Sequence, residues 1–253
     1  TAGEKMAHCP VLAGHFQMQQ VQYSYDVEKG EQAVQIPELT IKPGERVAIL
    51  GKTGAGKSTL LKLLSGQAQA SKGKVIIDGV DMAHIDPNDV RRQLGYLSQD
   101  SRLFFGTLRQ NLMLGHTHAT EAELIQALRI SGAIGMVQQD AASLDRLINE
   151  GGRGLSGGQR QMVLLSRLIV RNPQIVLMDE PTASMDEQLE AWVIRQLSQW
   201  LTGRTLVLVT HRPALLNLVD RIVVMENGKI VADGPRDSLI KQAVRNSSVS
   251  SVA

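Results

Sequence analysis

The sequence predicts an α/β fold with a parallel sheet at its core, an antiparallel β layer near the N-terminus and a block of helices inserted between two halves of the core. Three observations predict it. First, Gly51-Lys52-Thr53-Gly54-Ala55-Gly56-Lys57-Ser58 fits the phosphate-loop pattern G-x-x-x-x-G-K-[ST] at every position. It lies between the apolar run 46–50, a buried strand, and residues 59–64, apolar at helical spacing. Second, Ile175-Val176-Leu177-Met178 and Leu206-Val207-Leu208-Val209 are wholly apolar and carry polar residues only at their C-terminal ends. That is the pattern of strands buried on both faces of a parallel sheet. Third, residues 15–25 alternate polar and apolar, residues 34–41 form a second strand-like run before Pro43-Gly44, and Val75-Ile76-Ile77 closes on the turn pair Asp78-Gly79.

Size and charge bound the function. The chain has 253 residues and a formal net charge of +2. Nothing in that balance directs it to nucleic acid or to an anionic membrane surface. Cys9 is the single cysteine, so no intramolecular disulfide framework is available, which fits a reducing compartment. Apolar runs reach about five residues, against the ~20 that a membrane-spanning helix needs. The chain begins at Thr1 without a methionine, and the expectation is a piece of a longer polypeptide.

The elements follow in order. Residues 1–13 carry no periodicity and are expected to form a linker or arm. In the phosphate loop, glycines turn the backbone so that successive N–H groups aim into one concavity, and the following helix N-terminus adds further N–H groups. Lys57 supplies a full charge near the β- and γ-phosphates, and the Ser58 hydroxyl can ligate Mg²⁺. Tyr25 ends the first strand and is either a ring that stacks on adenine or a half-buried strand aromatic. Thr107 with Gln110, and Ser156 with Gln159, are capping-box signatures that start helices. Residues 121–148 are mostly helical in pattern, and the middle block lacks strand runs. Gly157-Gly158 at the second capped helix start is a further anion-binding device, and Asn172-Pro173 ends that helix. Asp179 fits the acidic partner of a phosphate-loop Mg²⁺, and Glu180 is placed to polarise the attacking water. Ser184 and Glu187 predict another capped helix, running to about residue 201. His211 stands just past a strand end. Residues 222–231 read as a hairpin around Asn227-Gly228, and a short helix near 236–244 precedes a Ser-rich tail.

The order of these landmarks is itself informative: phosphate loop, Gln99, Leu155-Ser156-Gly157-Gly158-Gln159, Asp179-Glu180, Ser184-Met185-Asp186, His211. It resembles the nucleotide-binding domain of ATP-binding cassette (ABC) transporters. Leu103-Phe104-Phe105-Gly106-Thr107-Leu108-Arg109-Gln110-Asn111 and Glu150-Gly151-Gly152-Arg153-Gly154 make it most similar to bacterial type I secretion ATPases of the RTX-toxin and large-adhesin kind. The fold implied is a RecA-like P-loop NTPase core over residues 14–98 and 172–242, a helical subdomain over about 99–171, and a flexible tail at 243–253.

The resemblance implies an active ATPase using ATP and Mg²⁺. Gly51, Thr53, Gly54, Ala55, Gly56, Lys57, Ser58 and Thr59 would hold the phosphates, and Tyr25 would stack on adenine. Ser58, Gln99 and Asp179 would serve Mg²⁺. Glu180 would be the catalytic carboxylate, and Gln99 would contact the attacking water. His211 would contact the γ-phosphate. Ser156, Gly157, Gly158 and Gln159 would face the γ-phosphate held by a second copy in a head-to-tail homodimer. Asp186 would lie in the loop that crosses to that copy; Ser184 there departs from the family's usual alanine. Residues 150–153 would meet the transmembrane domain of the same polypeptide. A periplasmic adaptor, an outer-membrane channel and a location on the cytoplasmic face of the bacterial inner membrane complete the implied system. Export of lipid, drug or peptide is the alternative to export of a large protein.

Overall fold

The computed structural model describes residues 11–26, 28, 33–138 and 142–250. The expected arm over 1–13 falls partly outside these, since residues 1–10 are not described, but residues 11–13 are fastened to the domain. Leu12 is buried, and its N–H is donated to Gln93 Oε1 at 2.6 Å. The Asp78 carboxylate accepts the N–H groups of Ala13, Gly14 and His15 at 2.5, 3.2 and 2.8 Å. Asp78 can do so because it occupies a left-handed turn position, φ 47°, that aims its short side chain back along the incoming chain.

Strand β1 (Phe16–Tyr23) pairs antiparallel with β2 (Val34–Ile41). Strand β3 (Arg46–Leu50) leads through the phosphate loop into helix α1 (Lys57–Ser65). Strand β4 (Lys72–Ile77) returns beside β1 and turns into β5 (Val80–Asp81), which completes a four-stranded sheet ordered β2-β1-β4-β5. Helix α2 (Pro87–Gln93), capped by Asp86, delivers the chain to β6 (Leu94–Leu97).

The middle block then begins with β7 (Gly106–Thr107), α3 (Leu108–Leu112), α4 (Glu121–Ser131) and α5 (Ile134–Gln138). It continues through β8 (Leu147–Ile148) to α6 (Gly157–Val170). Both expected capping boxes form, Thr107 with Gln110 and Ser156 with Gln159. The block is not free of strands as the sequence suggested, because β7 and β8 pair antiparallel. Strands of two residues are too short to show a period.

Strand β9 (Ile175–Asp179), helix α7 (Glu187–Trp200) and strand β10 (Thr205–Val209) rebuild the core. Strands β11 (Arg221–Glu226) and β12 (Lys229–Pro235) form the expected hairpin, and α8 (Arg236–Ser250) follows. The capping of α7 corrects the sequence reading. Asp186, not Ser184, is its N-cap, with the carboxylate accepting from Leu189 N at 2.7 Å. A carboxylate at the helix start adds a favourable interaction with the helix dipole that a hydroxyl lacks. Helix α8 also runs on to Ser250, past the end expected near residue 244, through a stretch with neither glycine nor proline.

The second sheet has six strands ordered β12-β11-β3-β10-β9-β6, parallel except at the β11–β12 edge. Its central strands split their side chains between two cores, as a period of two demands. Val47, Ile49, Ile175, Leu177, Val207 and Val209 join α1 and the antiparallel layer. Ala48, Val176, Met178, Leu206 and Leu208 join α6, α7 and the inserted helices. The parallel directions bring the C-terminal ends of β3, β9 and β10 to one edge.

Replacing Asp78 by Ala would orphan three N–H groups at the entry to β1. Asp78→Ala is expected to cost about 1–3 kcal/mol, read from the urea midpoint; an unchanged midpoint would mean that solvent replaces the carboxylate without loss.

Candidate functional site

The phosphate loop joins the end of β3 to the start of α1. Gly54 and Gly56 have φ of 83° and 98°, a region closed to most side chains. At Gly51 a Cβ would stand 2.4 Å from the Met225 carbonyl oxygen. The loop is braced from outside. Gly228, in the β11–β12 turn, donates its N–H to Ala55 O at 2.9 Å and accepts from Gln35 N at 2.7 Å. A Cβ on Gly228 would fall 2.4 Å from Ala33 O. No side chain caps the N-terminus of α1, so its first-turn N–H groups remain for an anion. Lys57 is buried and donates from Nζ to the carbonyls of Gly51 and Lys52, the latter at 3.0 Å. Burial pushes its pKa down, against the pull of Glu180 and Asp179.

The acids sit at the ends of β9 and β10. Asp179 closes β9, buried, with Oδ2 accepting from Ser58 Oγ at 2.9 Å and Oδ1 from Gln99 Nε2 at 3.4 Å. Burial pushes its carboxyl above the ordinary range, opposed by the Ser58 hydrogen bond and the Lys57 charge. Glu180 follows at φ 49°, a left-handed backbone that costs a non-glycine residue about 1–2 kcal/mol. Three hydrogen bonds fix that peptide: Glu180 N to Val209 O at 2.8 Å, and Gln161 Nε2 and Ala183 N to Glu180 O at 2.9 and 3.3 Å. Its carboxylate is held as well. Thr210 Oγ1 donates to Oε2 at 3.0 Å, and the His211 N–H donates to Oε1 at 2.6 Å. The His211 ring places Nε2 3.7 Å from the same Oε1.

Most of these groups line one cavity of about 320 Å³; Gly51 and Thr210 do not. Of the residues singled out in the sequence, Tyr25, Thr53, Gly54, Ala55, Gly56, Lys57, Ser58, Thr59, Gln99, Asp179, Glu180 and His211 line it. The Tyr25 ring is exposed at the rim; its hydroxyl hydrogen-bonds Thr59 Oγ1, and it makes a T-shaped contact with the Tyr23 ring, centroids 5.1 Å apart. Ser156, Gly157, Gly158, Gln159 and Asp186 do not line this cavity. Gly157 instead faces a second cavity of about 460 Å³, which shares the wall formed by Gln99, Asp179 and Glu180.

Among the described residues, no group of three or more His, Cys, Asp or Glu side chains could hold a metal. The donors that do meet are a hydroxyl, an amide and one carboxylate, from Ser58, Gln99 and Asp179. All offer hard oxygen, and one protein carboxylate completed by phosphate oxygens is the way Mg²⁺ is commonly bound. The residues therefore fit that ion.

Five supporting residues, Thr210, Gln161, Arg212, Glu190 and Thr182, escaped the sequence reading. Thr210 holds Glu180, and the one available hint was a hydroxyl closing an apolar strand. Gln161 bridges Glu180 O and Ser184 N, the latter at 2.9 Å. Arg212 donates to the Thr182 and Met185 carbonyls at 2.8 and 3.1 Å and to the buried Glu190 at 2.6 Å. The Thr182 hydroxyl reaches the same Glu190 oxygen at 2.5 Å. This clamp fixes the loop 181–186 against the residue that follows His211.

Comparison with known proteins agrees with the geometry. A family model described as ABC transporter matches residues 34–183. The cyclolysin secretion/processing ATP-binding protein CyaB of Bordetella pertussis is 36% identical over 239 residues, covering 94% of this chain and 33% of the relative. The exotoxin translocation ATP-binding protein PaxB of Pasteurella aerogenes is 39% identical over 203 residues, 80% of this chain and 29% of the relative. The chain thus spans about a third of the length of these relatives. A solved bacterial Atm1-family ABC exporter with ATP bound superposes with a TM-score of 0.88 at 29% identity, over 96% of this chain and 42% of that one.

Asp179 carries a consequence for stability. Its folded-state pKa is raised, so the folded protein binds that proton more tightly than the unfolded chain does. The stability it contributes therefore falls as pH rises through the window between the ordinary carboxylate range and the raised value. In nucleotide-free protein, Asp179→Asn is expected to gain on the wild type as pH climbs from about 4.5 toward neutrality. Urea midpoints at each pH check this, and a difference independent of pH would remove burial as the dominant cause.

Proposed function

The chain belongs to the ABC transporter family, and we propose that it binds ATP with Mg²⁺, hydrolyses it to ADP and phosphate, and thereby powers export across a bacterial inner membrane from its cytoplasmic face. One observation carries the reading. Lys57 and Ser58, Gln99, Asp179 and Glu180, and His211 come from four separated stretches and converge on one cavity at the ends of β3, β9 and β10.

The chemistry follows from that placement. The N–H groups of the loop and of the α1 terminus bind the β- and γ-phosphates, and Lys57 adds its charge. Tyr25 stacks on adenine from the rim. Ser58, Asp179 and Gln99 would hold Mg²⁺, which supplies charge neutralisation across the phosphates. The Glu180 carboxylate orients a water and takes its proton as the water oxygen bonds to the γ-phosphorus and the bond to the ADP oxygen breaks. His211, one residue past β10, contacts the γ-phosphate.

Each chain alone offers half of a site. Gly157 and Gly158, at the capped start of α6, do not line the chain's own phosphate cavity. Two copies related by a two-fold axis would each place this helix end on the other's γ-phosphate. ATP then favours the closed pair and its hydrolysis releases it. Motion reaches the membrane domain of the same polypeptide through the inserted helices. Phe105 and Leu147 support contact there: both are exposed apolar residues on the β7–β8 side, beside Glu150, which accepts from Phe105 N at 3.1 Å.

The names of CyaB and PaxB, secretion and translocation proteins for toxins, support a large protein as cargo, with a periplasmic adaptor and an outer-membrane channel as partners. The likeness to an Atm1-family exporter supports the second reading, export of another cargo class such as lipid, drug or peptide.

Glu180→Gln is expected to slow hydrolysis by about 10²- to 10⁴-fold and to run as a dimer only with Mg-ATP, by size exclusion with light scattering; an active variant would sink its assigned role. Ser156→Arg in the same background is expected to abolish that dimer. Thr210→Val removes one hydrogen bond to Glu180 and is expected to lower kcat by about 3- to 10-fold at unchanged KM; a steady-state ATP titration decides it.

A further inference from the structure

Gln161 lies one helical turn into α6 from Gly157 and Gly158 and is half-buried. Its amide makes two long-range hydrogen bonds with opposite polarity. Nε2 donates to the carbonyl of Glu180 at 2.9 Å, and Oε1 accepts from the Ser184 N–H at 2.9 Å. The first two residues of the helix press on the same loop. A Cβ on Gly157 would stand 3.2 Å from Ser184 Cβ, and one on Gly158 would stand 3.1 Å from Ser184 O. The start of α6 is therefore tied to the loop after Glu180 by both hydrogen bonds and close packing.

The Glu180 peptide is the sensitive end of this connection. It sits at φ 49°, where few residues rest unaided. Its N–H is tied to β10 through Val209 O, and its carboxylate is tied to Thr210 and His211 N. Gln161 is the side chain from α6 that grips its carbonyl. A shift of α6 would therefore pull on one side of a residue whose other side is anchored in the sheet.

We propose that Gln161 is a positioning residue that transmits the state of the α6 N-terminus to the carboxylate of Glu180 on the same chain. The inference rests on the paired arrangement proposed above. If the second copy's γ-phosphate docks on Gly157 and Gly158, its arrival is felt at this chain's Glu180 through one amide. The two sites of the pair then do not fire independently. Nucleotide on one chain sets the geometry of the hydrolytic carboxylate on the other, which holds its own nucleotide.

Two variants test it. Gln161→Leu keeps the volume and loses both hydrogen bonds. Gln161→Glu keeps an acceptor for Ser184 N–H and sets a second acceptor against the Glu180 carbonyl. Both are expected to lower kcat by about tenfold or more with KM for ATP within about twofold of wild type, and to bring the Hill coefficient for ATP down toward one. In the Glu180→Gln background, Gln161→Leu is expected still to form the ATP-dependent dimer. A variant with wild-type kcat and Hill coefficient overturns the proposal. So does a Gln161→Glu protein as active as wild type, which would leave only the tether to Ser184 in use. Loss of the dimer in Gln161→Leu also overturns it, because the residue would then act on assembly. The Glu180→Gln parent is the separate control. If the parent does not dimerise, the paired reading fails on its own account, and the kinetic comparison of Gln161→Leu with wild type still decides the positioning role.

Discussion

A strand buried on both faces can carry polar atoms only where it stops. β9 and β10 are buried from end to end, and a charged side chain inside either would need a partner in a region that has none to give. The acids are thereby confined to the strand termini. Because β3, β10 and β9 are neighbours running in one direction, their termini share an edge, and the phosphate loop leaves β3 at that edge. The meeting of Ser58 with Asp179, and of Glu180 with Thr210 and His211, follows from this constraint. The site is where the topology leaves room for polarity.

The same constraint explains why so much could be read in advance. Apolar runs with acids at one end, a complete phosphate loop and two capping boxes are local patterns, and each predicts its element without knowledge of the rest. What escaped is non-local. Gln161 looks like any polar residue on an amphipathic helix, and its partner lies 19 positions away. Arg212 and Glu190 are separated by a strand and most of a helix. Where two local signals competed, the wrong one was read: Ser184 and Asp186 both precede an acidic helix start, and the carboxylate nearer to it won. Strands β7 and β8 are held by their place beside α3, with Leu108 donating to Arg146 O at 2.8 Å, and not by any pattern of their own.

The site holds several groups in states they would not choose in water. Lys57 is buried against two carbonyls, Asp179 is buried beneath Ser58, and Glu180 occupies a left-handed backbone. Such features are tolerated where the surroundings over-determine them. Here the surroundings are rigid sheet on one side and the clamp of Arg212, Glu190 and Thr182 on the other. A triphosphate would give Lys57 the counter-charge that carbonyl dipoles supply only in part. Binding would thus relieve a cost already present, which is what preorganisation means energetically.

The turn Asn227-Gly228 has a practical corollary. From outside, it is a two-residue hairpin tip leading to the edge strand β12, the sort of place where protein engineers graft epitopes, fluorophores or new chain ends. Its backbone nevertheless joins Ala55 of the phosphate loop to Gln35 of the antiparallel layer, with Ala33 pressed against it. It works as a keystone between two sheets. A peptide spliced in here would leave the hairpin intact and loosen the nucleotide cradle, so a labelled protein could keep its fold and lose its ligand. Labels belong elsewhere, and surface position alone is a poor guide to which loops of this domain are expendable.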